Sequence, residues 1–340
     1  MRDVQPIEII GGGLAGLAAG LALRRSGVPV TVFEAGDYPR HRVCGEFISG
    51  LDPETVGTLG LGDLLAGAVA NTSVTYHVRD RVLGPFPLPA TAWGISRHTL
   101  DARAARAFQE AGGILKARTR APDDAAKPGR VLANGRRRTG TFWVGLKVHA
   151  YQLALGSDLE VHLGDRAYVG LSRIESGGVN VCGIFFRRAT DQRGPGLLLA
   201  YLEGCGLGAL AERLRAARVD PDSFCVTAAS LGSPGCAEAD TVRIGDALAS
   251  IPPYTGNGLA MALQSAESAV GPLEAYARGT SHWSDCVRSV ARAQRGRFRR
   301  RLAVAAFLHP CLLYRRRQAC LSLLAGSGLL PFRTLYSALH

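Results

Sequence analysis

Short apolar runs paired with longer apolar segments occupy both ends of the chain, while the middle alternates residue by residue. Ile7-Glu8-Ile9-Ile10 predicts a strand, and Leu14 to Arg25, apolar at most positions, predicts a helix directly after it. Val28-Pro29-Val30-Thr31-Val32-Phe33 predicts a second strand. Near the other end Thr241-Val242-Arg243-Ile244 predicts a strand and Leu259 to Val270 an apolar helix. Between them Phe142 to Ala150 has rough period two, and similar strands follow at Leu159 to Leu163, Ala167 to Ile174 and Val179 to Phe186. Glycine-rich turns such as Ser176-Gly177-Gly178 separate these strands at hairpin spacing, which predicts an antiparallel sheet. Ser73 to Val82 predicts an additional edge strand, and Ser96 is placed to cap a helix that begins at Arg97.

The turns that join these elements carry the first candidate chemistry. Gly11-Gly12-Gly13-Leu14-Ala15-Gly16 lies between strand and helix, the context a dinucleotide fingerprint requires. Gly11 permits the tight turn, Gly13 lets backbone N–H groups approach a pyrophosphate, and Gly16 allows close helix packing. The helix opened by Leu14 and Ala15 turns its unpaired N–H groups and positive dipole end towards that anion. Glu34 ends the second strand about 20 residues past the turn, where a carboxylate accepts hydrogen bonds from a ribose. The second glycine-rich segment is Gly245-Asp246-Ala247, followed by Ile251-Pro252-Pro253-Tyr254-Thr255 and Gly256-Asn257-Gly258.

This second segment resembles the second FAD signature of the para-hydroxybenzoate hydroxylase and geranylgeranyl reductase flavoproteins. The resemblance implies that Asp246 holds the ribityl hydroxyls and that Gly256, Asn257 and Gly258 meet the pyrimidine edge of the isoalloxazine. His41-Arg42-Val43-Cys44-Gly45-Glu46-Phe47 is similar to the loop after the ribose-binding strand in the geranylgeranyl reductase branch. There Arg42 would neutralise a phosphate, Gly45 would let the backbone pass the ring, and Cys44 would relay protons or line the substrate pocket, unless it is simply a small buried hydrophobe. Arg97 would reach the flavin from its helix or else face solvent. The implied fold is α/β: a Rossmann-like FAD-binding domain with an inserted antiparallel substrate sheet and a helical C-terminal segment. The expected division is 1–72, 96–140 and 236–275 for the FAD domain, 73–95 and 141–235 for the substrate sheet, and 276–340 for the tail. The chain departs from the family between Gly113 and Thr141, where adenine-covering strands are compressed into Ile114 to Val131 and Ala133-Asn134-Gly135-Arg136 replaces an alanine-aspartate-glycine-arginine motif.

Composition narrows the remaining classes. With 340 residues, 47% hydrophobic content and 42 glycines, the chain can bury the cores of one large or two medium domains. Eight cysteines without a C-x-x-C pair predict reduced thiols in a cytoplasmic protein and no structural metal. The chain opens on a strand rather than a leader, and no run of 18 apolar residues predicts a membrane span.

Charge is concentrated at one end. Residues 283–340 hold eleven arginines against Asp285 alone, +10 of the total +12. Arg295, Arg297, Arg299, Arg300 and Arg301 precede the apolar stretch Leu302 to Leu313, and Arg315-Arg316-Arg317 precedes Leu321 to Leu330. Such a tail either contacts an anionic membrane or carrier peripherally or forms a helical layer with solvated arginines. Aromatic residues are not interleaved with the charges, so nucleic acid is not an expected partner. In the central sheet Lys147, one of three lysines, sits among apolar neighbours, and His149 and His162 are placed to share its face. Each is either an acid or substrate anchor or an ordinary residue of a half-exposed sheet.

These features predict an FAD-dependent oxidoreductase, a monooxygenase or a geranylgeranyl reductase-like enzyme, acting on a hydrophobic, lipid-like or polyketide-like substrate. No second nucleotide fold is present, so NAD(P)H visits the flavin directly or a reduced carrier supplies the electrons. The alternative is a catalytically degenerate binding or scaffold protein of the same fold.

Overall fold

The computed structural model describes residues 4–121, 127–135, 142–229, 240–327, 329 and 331–340. Arg136, Cys236 and the expected boundaries at 140/141 and 235/236 lie outside them. The chain begins with β1 (Ile7–Ile10), α1 (Leu14–Arg25), β2 (Val30–Phe33), β3 (Phe47–Ile48) and α2 (Pro53–Leu59). It continues through β4 (Val69–Val78), β5 (Arg81–Gly94), α3 (Arg97–Glu110), β6 (Ile114–Lys116) and β7 (Arg130–Leu132). The central segment is β8 (Trp143–Tyr151), β9 (Leu159–Gly164), β10 (Ala167–Arg173), β11 (Gly178–Phe186), α4 (Pro195–Gly204), α5 (Gly208–Ala216) and β12 (Arg218–Ala229). The chain closes with β13 (Val242–Arg243), α6 (Gly258–Ala277), α7 (Trp283–Leu313), α8 (Arg315–Gly326) and α9 (Phe332–Leu339).

Two sheets organise these elements. The first has the order β13-β7-β1-β2-β6 and is parallel throughout. Its core joins Ile7, Ile9 and Val32 to Leu17 and Leu21 of α1, Phe108 of α3 and Leu263 of α6. Because α1 is covered by both the sheet and α6, it is apolar all round rather than amphipathic. The strands expected between Ile114 and Val131 are β6 and β7, and both join the parallel sheet. Among the described residues none of this region forms a separate adenine-covering layer.

The second sheet has the order β12-β8-β11-β10-β9-β4-β5-β3, antiparallel except where β4 runs parallel to β9. Ser73 to Val82 is therefore not one edge strand. It spans the end of β4, paired on both sides, and the start of β5, and the short β3 lies beyond. The expectation of a half-exposed sheet also changes. Seven consecutive residues of β8, Val144 to Ala150, are buried, because α4 and α5 cover one face and the segment 41–47 crosses the other. The tail's arginine cluster and first apolar stretch form one helix, α7, which packs along α6. No helix among the described residues is long and apolar enough to cross a membrane.

Candidate functional site

The two glycine-rich segments, far apart in sequence, meet in the fold. Gly11, at φ +114°, lies so close to β7 that a Cβ there would stand 2.3 Å from the Ala133 carbonyl oxygen. Gly16 brings α1 down on the turn, where a Cβ would stand 2.1 Å from the Gly11 oxygen. Gly245 faces Ala15: a Cβ on it would lie 3.0 Å from the Ala15 Cβ and 3.9 Å from that of Ala262 on α6. Its N–H is fixed by Ser265 Oγ at 2.7 Å, placing the Gly245-Asp246-Ala247 turn between the starts of α1 and α6. Gly256 then packs against Phe47, which brings the 41–47 segment to the same place.

Gly13, Gly45 and Gly258 behave differently from these packed glycines. A Cβ added to any of the three would meet no atom within 4 Å. Gly13 and Asn257 precede α1 and α6 without side-chain caps, and neither helix has an acid in its first turn. The first N–H groups of Leu14, Ala15 and Gly16, and of Gly258 and Leu259, therefore remain available at two positive helix ends that border open space. That cradle fits a pyrophosphate at α1 and an electron-rich ring edge at α6. The Asn257 side chain is committed elsewhere, donating to the Ser49 oxygen at 3.0 Å and accepting from Arg301 at 2.9 Å. Only its backbone is left for a ligand.

Glu34 ends β2 beside the same turn. Its carboxylate accepts from the N–H groups of Gly12 (3.0 Å) and Gly36 (2.8 Å) and from Arg40 (2.8 Å). Burial raises its pKa, but the Gly36 N–H and then Arg40 and Arg42 outweigh that and hold it below the ordinary value. Arg42 bridges Glu34 at 3.5 Å to Asp101 at 3.1 Å. Arg97 neither faces solvent nor stands free in the cleft: its guanidinium lies on the fully buried Asp101 at 2.7 and 2.8 Å, and Ser96 caps its helix by accepting from the Thr99 N–H. Burial opposes the Arg97 charge and Asp101 outweighs it, raising its pKa. The Arg97 N–H continues the chain of contacts to Glu46 Oε1 at 3.0 Å.

Glu46 is the centre that the sequence does not announce. It is fully buried, with Lys147 Nζ 3.2 Å from Oε1 and His149 Nε2 2.5 Å from Oε2. Lys147, equally buried, also reaches His41 Nδ1 at 3.2 Å, and His41 stacks on His98 at 4.5 Å between ring centroids. Burial first, then the neighbouring Lys147, push His41 down to about 4, so at neutral pH it is an acceptor for the ammonium group. Ser172 donates to the Gly45 oxygen at 2.9 Å and Asn180 to the Cys44 oxygen at 3.0 Å, pinning the loop to the sheet. Cys44 is half-buried, and burial raises its pKa, which keeps it a thiol. The seven described cysteines are all free. Sequence reasoning gives Glu46 and His41 no role; the available signal was a carboxylate inside the otherwise apolar run Val43 to Ile48.

Register decides which expected residues share this face. Lys147 pairs with Cys182 and His149 with Asn180, so both point at the loop. His162 opposes Val169, which belongs to the α4 and α5 side, so it does not share the Lys147 face. It stacks on His77 at 4.0 Å, and both lie beside Glu160, which Arg213 engages at 2.9 and 3.2 Å. Burial raises the Glu160 pKa, but His162, Arg213 and the Gly156 N–H outweigh it and lower it to about 2. The folded value lies below the unfolded one, so the carboxylate's contribution to stability is complete above pH ~4.5 and is lost as pH falls towards ~2. In urea denaturation we expect Glu160→Gln to be less stable than wild type at pH 6, with the gap closing on acidification. A gap that stays constant down to pH 2 would refute this assignment.

Beyond Lys147, the same sheet face becomes apolar and aromatic. Tyr168 meets Tyr254, from the turn before α6, at 6.2 Å and His309 of α7 at 5.9 Å, with Ile184 beside it on β11.

Comparison with known proteins bears on this arrangement. The NAD(P)-binding Rossmann-like domain family matches residues 9–44. Comparison with curated protein sequences returns no match. Among solved structures, the flavin-dependent brominase Bmp2 is similar with a TM-score of 0.75 at 17% identity, covering 98% of this chain and 93% of its own. PqsL of Pseudomonas aeruginosa, a probable FAD-dependent monooxygenase, gives 0.70 at 14%, covering 94% and 99%. A mutant of 2-methyl-3-hydroxypyridine-5-carboxylic acid oxygenase gives 0.68 at 18%, covering 99% and 96%. The chain therefore has the fold on which these flavin enzymes are built.

Proposed function

We propose that the protein is an FAD-dependent oxidoreductase acting on a hydrophobic substrate. The observation that carries this reading is that Gly245 packs between Ala15 of α1 and Ala262 of α6, two helices with uncapped N-termini where a Cβ at Gly13 or at Gly258 would meet nothing, with Glu34 beside the first. Gly13, Leu14, Ala15 and Gly16 would hold the pyrophosphate, Glu34 the adenosine ribose, Asp246 the ribityl chain, and the backbone at 256–258 the pyrimidine edge. Around the site Arg40, Arg42, Arg97 and Lys147 are balanced by Glu34, Glu46, Asp101 and Asp246, so the attraction for an anion comes from the N–H groups of the two helix ends. FAD, when bound, would supply two-electron transfer and reactivity towards oxygen.

This chain's residues orient and exclude water. Tyr254, half-buried beside the closed Tyr168 and Ile184 cluster, gives the substrate side an apolar edge. Lys147 is too buried to touch a ligand itself; it acts through His41, whose ring is half-buried. Glu46, Lys147 and His41 form one line of polar contacts from the buried carboxylate to the half-buried ring, which fixes that ring's orientation. The oxygen-using enzymes among the structural neighbours favour monooxygenation over double-bond reduction. NAD(P)H is the proposed reductant.

The test is the visible spectrum of purified protein with and without added FAD. Flavin bands that bleach under anaerobic reductant, with FAD released on denaturation, are expected. A colourless protein that takes up no FAD would overturn the proposal and favour a ligand-holding protein that has lost catalysis. With FAD bound, oxygen uptake coupled to substrate conversion separates oxygenation from reduction.

A further inference from the structure

Helix α7 carries an arginine stripe that the fold does not use. Arg288, Arg292, Arg295 and Arg299 recur at spacings of four, three and four, which places them on one helix face. With Gly296 and Arg300 they make up one open, solvent-facing strip of the helix. Arg288 pairs with Asp285, but among the described residues Arg292, Arg295, Arg299 and Arg300 have no carboxylate partner. Their helix neighbours differ: Arg297 is tied to Asp52 and Glu267, and Arg301 is buried on Asn257 and Gln264. The exposed face continues past Arg299 into Ala303, Ala306 and Phe307, the last 77% exposed. Then α8 exposes Arg316 and Arg317 together with Leu323 (61%) and Leu324 (45%), and Leu329 (71%) follows.

Free arginines alone suit any polyanion, and exposed leucines alone suit any apolar partner. Their succession along one helix and into the next suits a layer with negative charge at its surface and hydrocarbon just beneath. Nucleic acid fits less well, because the exposed aromatics Phe307 and Tyr314 lie beyond the stripe rather than between its arginines, where Phe298 is 2% exposed. We infer that the solvent face of α7 and α8 docks the protein on an anionic lipid bilayer, without any segment crossing it. This docking does not depend on the flavin reading.

Co-sedimentation of the full chain with vesicles tests it. Phosphatidylcholine vesicles containing phosphatidylserine should retain the protein at least about tenfold better than phosphatidylcholine alone, and high salt should release it. Each basic residue near such a surface contributes about fivefold, and each reversal also adds a repelled carboxylate, so Arg292→Glu/Arg299→Glu should weaken binding by at least about 25-fold. Leu323→Ser/Leu324→Ser should weaken it at all salt concentrations, and the melting temperature of each variant reports whether it is folded. Equal retention on neutral and anionic vesicles, or no retention of the wild-type protein, overturns the inference. So does capture by an acidic carrier protein in solution when vesicles fail to bind.

Discussion

Lys147→Met should destabilise the protein by about 3–5 kcal/mol, the cost of stranding a buried charge, and Lys147→Met/Glu46→Gln should recover most of that loss. Lys147 and Glu46 are both fully buried and 3.2 Å apart. Methionine fills most of the lysine's volume, so cavity formation is a small part of the effect. What is lost is the cation that compensates Glu46, leaving His149 and the Arg97 N–H to hold a carboxylate out of water. Neutralising Glu46 as well removes the stranded charge while keeping an amide oxygen for the Arg97 N–H. Chemical denaturation of the four proteins in a double-mutant cycle gives the coupling energy. Two single losses that simply add would show that the pair is not coupled and that the lysine is held by packing alone.

The same ion pair shows where sequence reasoning stops. Strand positions and the Lys147–His149 face follow from the period-two pattern, and both glycine turns follow from strand, turn and helix order. Burial of that face does not follow, because it depends on a loop about 100 residues earlier in the chain crossing the sheet. Alternation tells which residues share a face, not what covers it. His162 illustrates the other limit: it lies on a neighbouring strand, and pairing register, which only the fold supplies, turns it to the opposite side from Lys147.

Arginines 97, 297 and 301 show a third limit. In the sequence they resemble any other arginines of a basic helix, yet Asp101, Asp52 with Glu267, and Asn257 with Gln264 take them out of the pool of free charge. The unpaired arginines of α7 stand out only after these are removed. Net charge is therefore a weaker guide to a partner than the charge left over when internal pairs are counted.

Gly13→Asp should have opposite effects on the fold and on its cofactor. The glycine is the N-cap of α1 with backbone in the extended region at φ −78°, which any residue adopts, and a Cβ there meets nothing within 4 Å. An aspartate can therefore enter without strain and accept from the uncapped N–H groups of the first turn. A cap of this kind differs from glycine by only a few tenths of a kcal/mol, and a carboxylate at a positive helix end adds about 0.3–1 kcal/mol, so the FAD-free protein should melt unchanged or slightly higher. The same carboxylate occupies the N–H groups proposed for the pyrophosphate and sets a negative charge against it. Loss of two such charge-assisted hydrogen bonds, at about 1.5–3 kcal/mol each, corresponds to a weakening of FAD binding by at least about 100-fold. Flavin fluorescence quenching measures the affinity and calorimetry the stability. If Gly13→Asp binds FAD as tightly as wild type, the pyrophosphate does not sit on α1 and the assignment of Gly13, Leu14, Ala15 and Gly16 fails. If affinity and melting temperature fall together, the turn is a structural element whose disruption affects binding only through the fold.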